Sequence, residues 1–152
     1  GEAVVKGFSG RRDGVAIEKW VADGLPPVKI DREQVKRVVV NLVDNAAEAM
    51  IDSSFKQLTI ITQLATNESI ELIVADTGCG VSPEDKEKLF LPYFSTKSRG
   101  TGLGLAIVNH IIADHHAQIR VEDNRPVGAR FVIEVPAMVP GGEEMSEVEV
   151  KA

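Results

Sequence analysis

The chain has 152 residues, 43% of them apolar and 26% charged, with a formal net charge of −6. That balance suits one globular domain with a real core, and it leaves no basic face with which to hold a nucleic acid. A single cysteine, Cys79, excludes an internal disulfide and a thiolate metal cluster, so a reducing, cytoplasmic compartment is expected.

No apolar run approaches the ~20 residues of a membrane span, and no leader-like segment opens the sequence. No membrane segment is therefore expected in this chain, which is compatible with its being a piece of a membrane-anchored parent. In chain order, residues 1–14 contain glycines and a basic pair, Arg11-Arg12, and read as a connector with a short strand at Ala3 to Lys6. Val15 to Val21 alternates as a half-buried strand does. Gly24-Leu25-Pro26-Pro27 is a turn, and Val28-Lys29-Ile30 a short extended piece.

Asp31 is expected to cap a helix running from Arg32 to about Met50, with Gln34 completing something close to a capping box. Val35, Val38, Val39, Leu42, Val43, Ala46 and Ala49 form its core stripe. Asn41, Asn45 and Glu48 fall on a second stripe at spacings of four and three, so they project from one side. A polar amide such as Asn45 on a helix of Val, Leu and Ala is costly unless it has a partner. That partner is either a neighbouring backbone group or a ligand.

Past a loop at Asp52-Ser53-Ser54, Gln57 to Gln63 and Ser69 to Ala75 read as a hairpin turning through Ala65 to Glu68. Asp76-Thr77-Gly78-Cys79-Gly80 comes at the exit of its second strand. Ser82-Pro83-Glu84-Asp85 begins a short helix, with Ser as cap and Pro in the first turn. An aromatic stretch follows, Leu89-Phe90-Leu91-Pro92-Tyr93-Phe94-Ser95-Thr96-Lys97, in which Phe90 is expected in the core. The next glycine stretch, Gly100-Thr101-Gly102-Leu103-Gly104-Leu105, opens a helix to about His115. Glycines let a backbone approach a ligand closely, and a helix N-terminus favours an anion such as phosphate. Gln118 to Glu122 and Ala129 to Val135 complete the sheet. From Pro136 onward a Gly-Gly pair and the acids Glu143, Glu144, Glu147 and Glu149 read as a tail. The pattern predicts an α/β (α+β) two-layer sandwich, a mixed and mainly antiparallel sheet packed on helices.

Four of these stretches, in this order and at these separations, resemble the N, G, F and second G boxes of histidine-kinase ATP-binding domains, relatives of the gyrase, chaperone and mismatch-repair ATPases. The likeness covers roughly residues 25 to 136 and implies the Bergerat ATP-binding fold, with residues 15–136 as the catalytic domain and 137–152 as its tail. It implies ATP and Mg²⁺ as ligands. Asn45 would supply an oxygen to the metal, and Asn41, Asn45 and Lys97 would serve catalysis. The nucleotide would be held by Asn41, Asn45, Glu48, Asp76, Gly78, Gly80, Phe94, Thr96, Lys97, Arg99, Gly100, Thr101, Gly102, Leu103, Gly104 and Leu105.

Asp76 would read adenine, because a carboxylate only accepts and the exocyclic amine donates. In the related hydrolases the position of Asn41 is a Glu that activates water. An amide cannot take that proton, which implies a γ-phosphate held for another nucleophile. Ala47-Glu48-Ala49-Met50, without the basic residue common in such kinases, and the short span from Phe94 to Gly100 resemble the nitrogen-regulation branch (NtrY/NtrB type). Lys97 and Arg99 are then the candidate bases for phosphate. His110, His115 and His116 lack the surroundings of a phosphoacceptor and read as structural or surface residues, where relatives have His-Gly-Gly in place of His115-His116-Ala117. The implied partners are a dimerisation and phosphoacceptor domain of the same parent and a response-regulator receiver domain. A self-sufficient ATPase and an anti-sigma-type serine-protein kinase are the alternatives.

Overall fold

The computed structural model describes residues 5–66, 68–94 and 103–138. Along the chain lie β1 (Val5–Arg12), β2 (Val15–Ala22), α1 (Arg32–Ala49), β3 (Gln57–Thr66), β4 (Ser69–Ala75), α2 (Pro83–Lys86), α3 (Gly104–Asp114), β5 (Gln118–Asp123) and β6 (Ala129–Pro136). The strands form one six-stranded sheet in the order β1-β2-β3-β4-β6-β5. Only β2 and β3 pair in parallel, and α1 is the crossover that a parallel pair requires. The other four pairings are antiparallel. The expected two-layer architecture with a mixed, mainly antiparallel sheet is what the chain adopts.

The helices cover one face of that sheet. Val38, Leu42 and Ala46 of α1 and Val108, Ile111 and Ile112 of α3 share a core with Leu58, Val74, Phe131 and Ile133. Leu89 is buried there too, and Phe90 packs against the same core with its ring edge-on to Phe131 at 6.4 Å. A second cluster, Ile73, Ala75 and Val132 with Ile61 packed against it, includes no helix residue among those described. Arg120, opposite Val132 in register, bonds Glu122 at 2.8 Å and Glu71 at 3.3 Å. Long charged side chains of this kind lay their aliphatic stems over apolar neighbours.

Three expectations need correction. Most of the supposed connector is strand: β1 pairs with β2 along Val5 to Arg12. Asp13 and Gly14, at φ 53° and 79°, form the two-residue turn whose Asp-Gly signature marks a hairpin. The capping box is half present. Asp31 Oδ1 accepts from Gln34 N–H at 3.1 Å, but the Asp31 N–H donates to His115 Nε2 at 2.8 Å. Nδ1 of the same ring lies 2.8 Å from Ile111 O, so His115 pins the start of α1 to the end of α3. Finally, residues 137 and 138 are not tail: Ala137 bridges Val28, and Met138 N–H donates to Pro27 O at 2.9 Å. The remainder of the tail lies outside the described residues.

Candidate functional site

Asp76 leaves β4 and is 1% exposed. Its Oδ1 accepts from the N–H of Gly78 at 2.8 Å and of Ala129 at 3.2 Å. Its main-chain N–H donates to Ala129 O at 2.9 Å, and its carbonyl accepts from Asn124 Nδ2 at 2.7 Å. A short Asp side chain satisfying the backbone two residues on is ordinary turn chemistry. Burial of the whole group beside a second loop is not. Thr77, also buried, donates through Oγ1 to Phe55 O at 2.8 Å and accepts from Gln57 N–H at 3.0 Å. The loop after α1 is thereby tied to the end of β4.

Gly78 sets how this turn meets α1. A Cβ built there would fall 2.6 Å from the Ala49 carbonyl carbon and 2.8 Å from its Cβ, so no other residue fits. Alongside, Cys79 N–H donates to Ala49 O at 3.1 Å. The C-terminal end of α1 is thus docked beside Asp76. From there the stripe Glu48, Asn45, Asn41 leads away along about 12 Å of helix at ~1.5 Å per residue. Gly80 turns back at φ 73°, and Cys79 is exposed and free, as a spacer would be.

At the far end of the stripe α1 meets α3. Asn41 is half-buried, and its Nδ2 donates to Arg37 O at 3.1 Å. Its Oδ1 lies 3.4 Å from where a Cβ on Gly104 would sit. Leu103, the N-cap of α3, makes no side-chain capping bond, so no side-chain oxygen of its own meets the first-turn N–H groups. Asn45 is half-buried rather than buried, Glu48 is exposed, and Phe94, Gly104 and Leu105 are half-buried. The structure therefore brings the α1 stripe against both glycine boxes, at Ala49–Gly78 and Asn41–Gly104, while Phe94 packs against the shared core. Thr96, Lys97, Arg99, Gly100, Thr101 and Gly102 lie outside the described residues.

Sequence reasoning missed Asn124, Thr77 and Gly128 as parts of this site. Gly128, at φ 107°, leaves no room for a Cβ against the Asp76 carbonyl. Its only signal in the sequence was a turn, Asn124 to Gly128, with nothing to say which strand end it would cover. His110 faces Asp114 at 3.5 Å on the surface, and His116 adopts φ 56° directly after the helix end. Neither histidine enters the site.

A groove of about 1410 Å³ runs beside α1 and α3, lined by Lys29, Arg32, Arg37 and His110 among others. It touches the boxes at Leu103 and does not reach Asp76 or Asn45. Acceptors at Asp76 and amides on α1 are chemistry for a ligand with an amine at one end and hard oxygens at the other.

Residues 30–139 match the family described as histidine kinase-, DNA gyrase B-, and HSP90-like ATPase. The sensor protein FixL of Bradyrhizobium diazoefficiens is 36% identical over 137 residues, which is 90% of this chain and 27% of FixL. The chain thus spans about a quarter of the length of that relative. Among solved structures, the mycobacterial sensor histidine kinase MprB superposes with a TM-score of 0.71 at 28% identity, over 84% of this chain and 85% of that one. The histidine kinase ThkA in complex with the response regulator TrrA gives 0.60 at 30% identity, over 83% and 34% of the two chains.

Proposed function

We propose, from the premise that the chain belongs to the histidine kinase-, DNA gyrase B- and HSP90-like ATPase family as the catalytic ATP-binding domain of a sensor histidine kinase, that it binds Mg-ATP along α1 and presents the γ-phosphate to a histidine on another domain of its parent. The observation that supports this reading is the docking of Gly78, two residues from buried Asp76, on Ala49 at the end of the helix that carries Asn45 and Asn41. Asp76 accepts from the adenine amine. A guanine would offer a carbonyl in that place and be repelled.

Asn41 and Asn45 contact the phosphates, with Asn45 oxygen toward the metal. Among the described residues no three His, Cys, Asp or Glu side chains converge on a metal. An amide oxygen on Asn45 is a hard donor of the kind Mg²⁺ takes together with phosphate oxygens and water. When bound, Mg²⁺ neutralises charge on the phosphate oxygens. The chain itself holds the nucleotide in line, and phosphoryl transfer asks mainly for positioning and charge stabilisation. Asn41 cannot act as a general base toward water.

Phe94, Leu103, Gly104 and Leu105 are assigned to the phosphates, as are Thr96, Lys97, Arg99, Gly100, Thr101 and Gly102, with Lys97 and Arg99 as the bases proposed for the β- and γ-phosphates. The ATP-binding unit runs from β1 to Met138, wider than 15–136, because the pairings at both ends belong to the same sheet and bridge. The finer placing in the nitrogen-regulation branch is supported by Ala47-Glu48-Ala49-Met50. A response regulator as downstream partner is supported by the likeness to a kinase solved with one. Among the described residues no helix is long and apolar enough to cross a membrane.

The test is phosphate release from saturating Mg-ATP by this chain alone, once binding has been measured by calorimetry. Tight binding with almost no release, and transfer when a phosphoacceptor domain is supplied, is the expected result. Steady turnover abolished by Asn45→Ala would identify a self-sufficient ATPase and overturn the reading of Asn41. Unchanged ATP affinity in Asp76→Ala would remove Asp76 from the base.

A further inference from the structure

We propose that Asn124 is a positioning residue for base selection, holding Asp76 in the orientation that tells adenine from a 6-oxo purine. This rests on the reading of Asp76 as the base reader and adds what keeps it in place. Asn124 lies between β5 and β6, far from Asp76 in sequence, yet its Nδ2 donates to the Asp76 carbonyl at 2.7 Å. That carbonyl belongs to the peptide joining Asp76 to Thr77. It opens the turn whose next peptide, Thr77–Gly78, supplies the N–H that holds Asp76 Oδ1 at 2.8 Å. Fixing the carbonyl therefore steadies the turn that presents this N–H to the carboxylate.

The turn that carries Asn124 is itself braced. Its main-chain N–H donates to Gly128 O at 2.9 Å. Gly128 packs its Cα face against the Asp76 carbonyl, where a Cβ would collide, and the next residue, Ala129, gives Asp76 Oδ1 its second N–H at 3.2 Å. On the other side Lys86 Nζ meets Asp123 Oδ1 at 2.7 Å, tying α2 to the residue before Asn124. One turn thus reaches Asp76 through a side-chain amide, a glycine face and a backbone N–H. A carboxylate discriminates between an amine and a carbonyl by sign of charge, and the discrimination is strong only while geometry is held. Without the amide the Asp76 carbonyl loses its hydrogen bond and the Asp76–Thr77 peptide is held less tightly, so the preference for an amine weakens before the phosphates are affected.

Calorimetric titration of the full chain with Mg-ADP and with Mg-IDP, which carries an oxygen in place of the amine, tests this directly. The wild type is expected to prefer ADP. Asn124→Ala should cut that preference about tenfold, through weaker ADP binding, with IDP held within about twofold. An unchanged preference would overturn the inference, as would equal losses for both nucleotides, which a merely structural role produces. A wild type without any preference for ADP would instead overturn the reading of Asp76, and the role of Asn124 with it. If Asn124→Ala fails to fold, Asn124→Ser, which keeps a shorter donor on the same turn, is read by the same criteria with a smaller expected loss.

Discussion

Replacing Gly78 by alanine probes the contact on which the row from Asp76 to Asn41 depends. The added Cβ would lie 2.6 Å from the Ala49 carbonyl carbon and 2.8 Å from the Ala49 Cβ, and nearer still to the carbonyl oxygen. Two of those three atoms are main chain, so rotating a side chain cannot relieve the clash. Either the turn after β4 or the last turn of α1 must move, which overpacking data put at about 1–3 kcal/mol. The shift also stretches the 3.1 Å bond from Cys79 N–H to Ala49 O, adding about 1 kcal/mol. A loss of about 2–4 kcal/mol follows, equivalent to a fall in melting temperature on the order of 10 °C for a domain of this size. Circular dichroism melts without nucleotide measure it. Because the obstacle is mainly backbone, the second change Ala49→Gly should not restore stability. A melting temperature lowered by less than about 2 °C, or full recovery in the double variant, would refute the reasoning. Gly80→Ala is the control. Its Cβ would come only to 3.4 Å from Gly128 O, at φ 73°, so its cost is the left-handed strain of about 1–2 kcal/mol.

Two further outcomes are expected. His116, in the left-handed region at φ 56° after α3, occupies a place suited to glycine. His116→Gly should stabilise by about 0.5–1 kcal/mol after allowing for the extra freedom glycine has when unfolded, and a lower urea midpoint would contradict this. The Arg120 hydrogen bond, followed by the charges of Arg120 and Arg130, holds the Glu122 carboxyl below its ordinary value of 4.5. Lys86 does the same for Asp123, below 3.8. A carboxyl whose folded pKa is depressed stabilises the fold above its unfolded value, and that stability is lost as pH falls through the folded one. Stability should therefore decline below about pH 4.5, less steeply in Arg120→Ala. Equal slopes in denaturation series from neutral pH to about pH 3 would show that Arg120 does not set Glu122.

Much of this molecule is legible in one dimension. The stripe of α1 from Val35 to Ala49, the Asp31 cap, the Ser82-Pro83 start of α2 and both hairpin strands around residue 67 are local patterns, and each was recovered within a few residues. The misses have local causes too. Arg11 and Arg12 hid a strand because charged residues on an outer, antiparallel strand need not alternate with apolar ones. The Asp-Gly turn that announced it was passed over.

The sequence by itself determined most of the segments that are helix or strand and the positions of the four boxes along the chain. Periodicity, caps and glycines act over a few residues, and the order and spacing of the boxes follow from them. Tertiary structure decided how those boxes face one another. The gap left by Gly78 seats the turn on Ala49, His115 takes the Asp31 N–H that a capping box would have used, and Asn124 reaches the Asp76 carbonyl from the turn between β5 and β6. Each of these joins residues dozens of positions apart, and which strand end a turn covers depends on sheet order. A single sequence holds no local signal of that order, because it is the packing of all six strands that creates it.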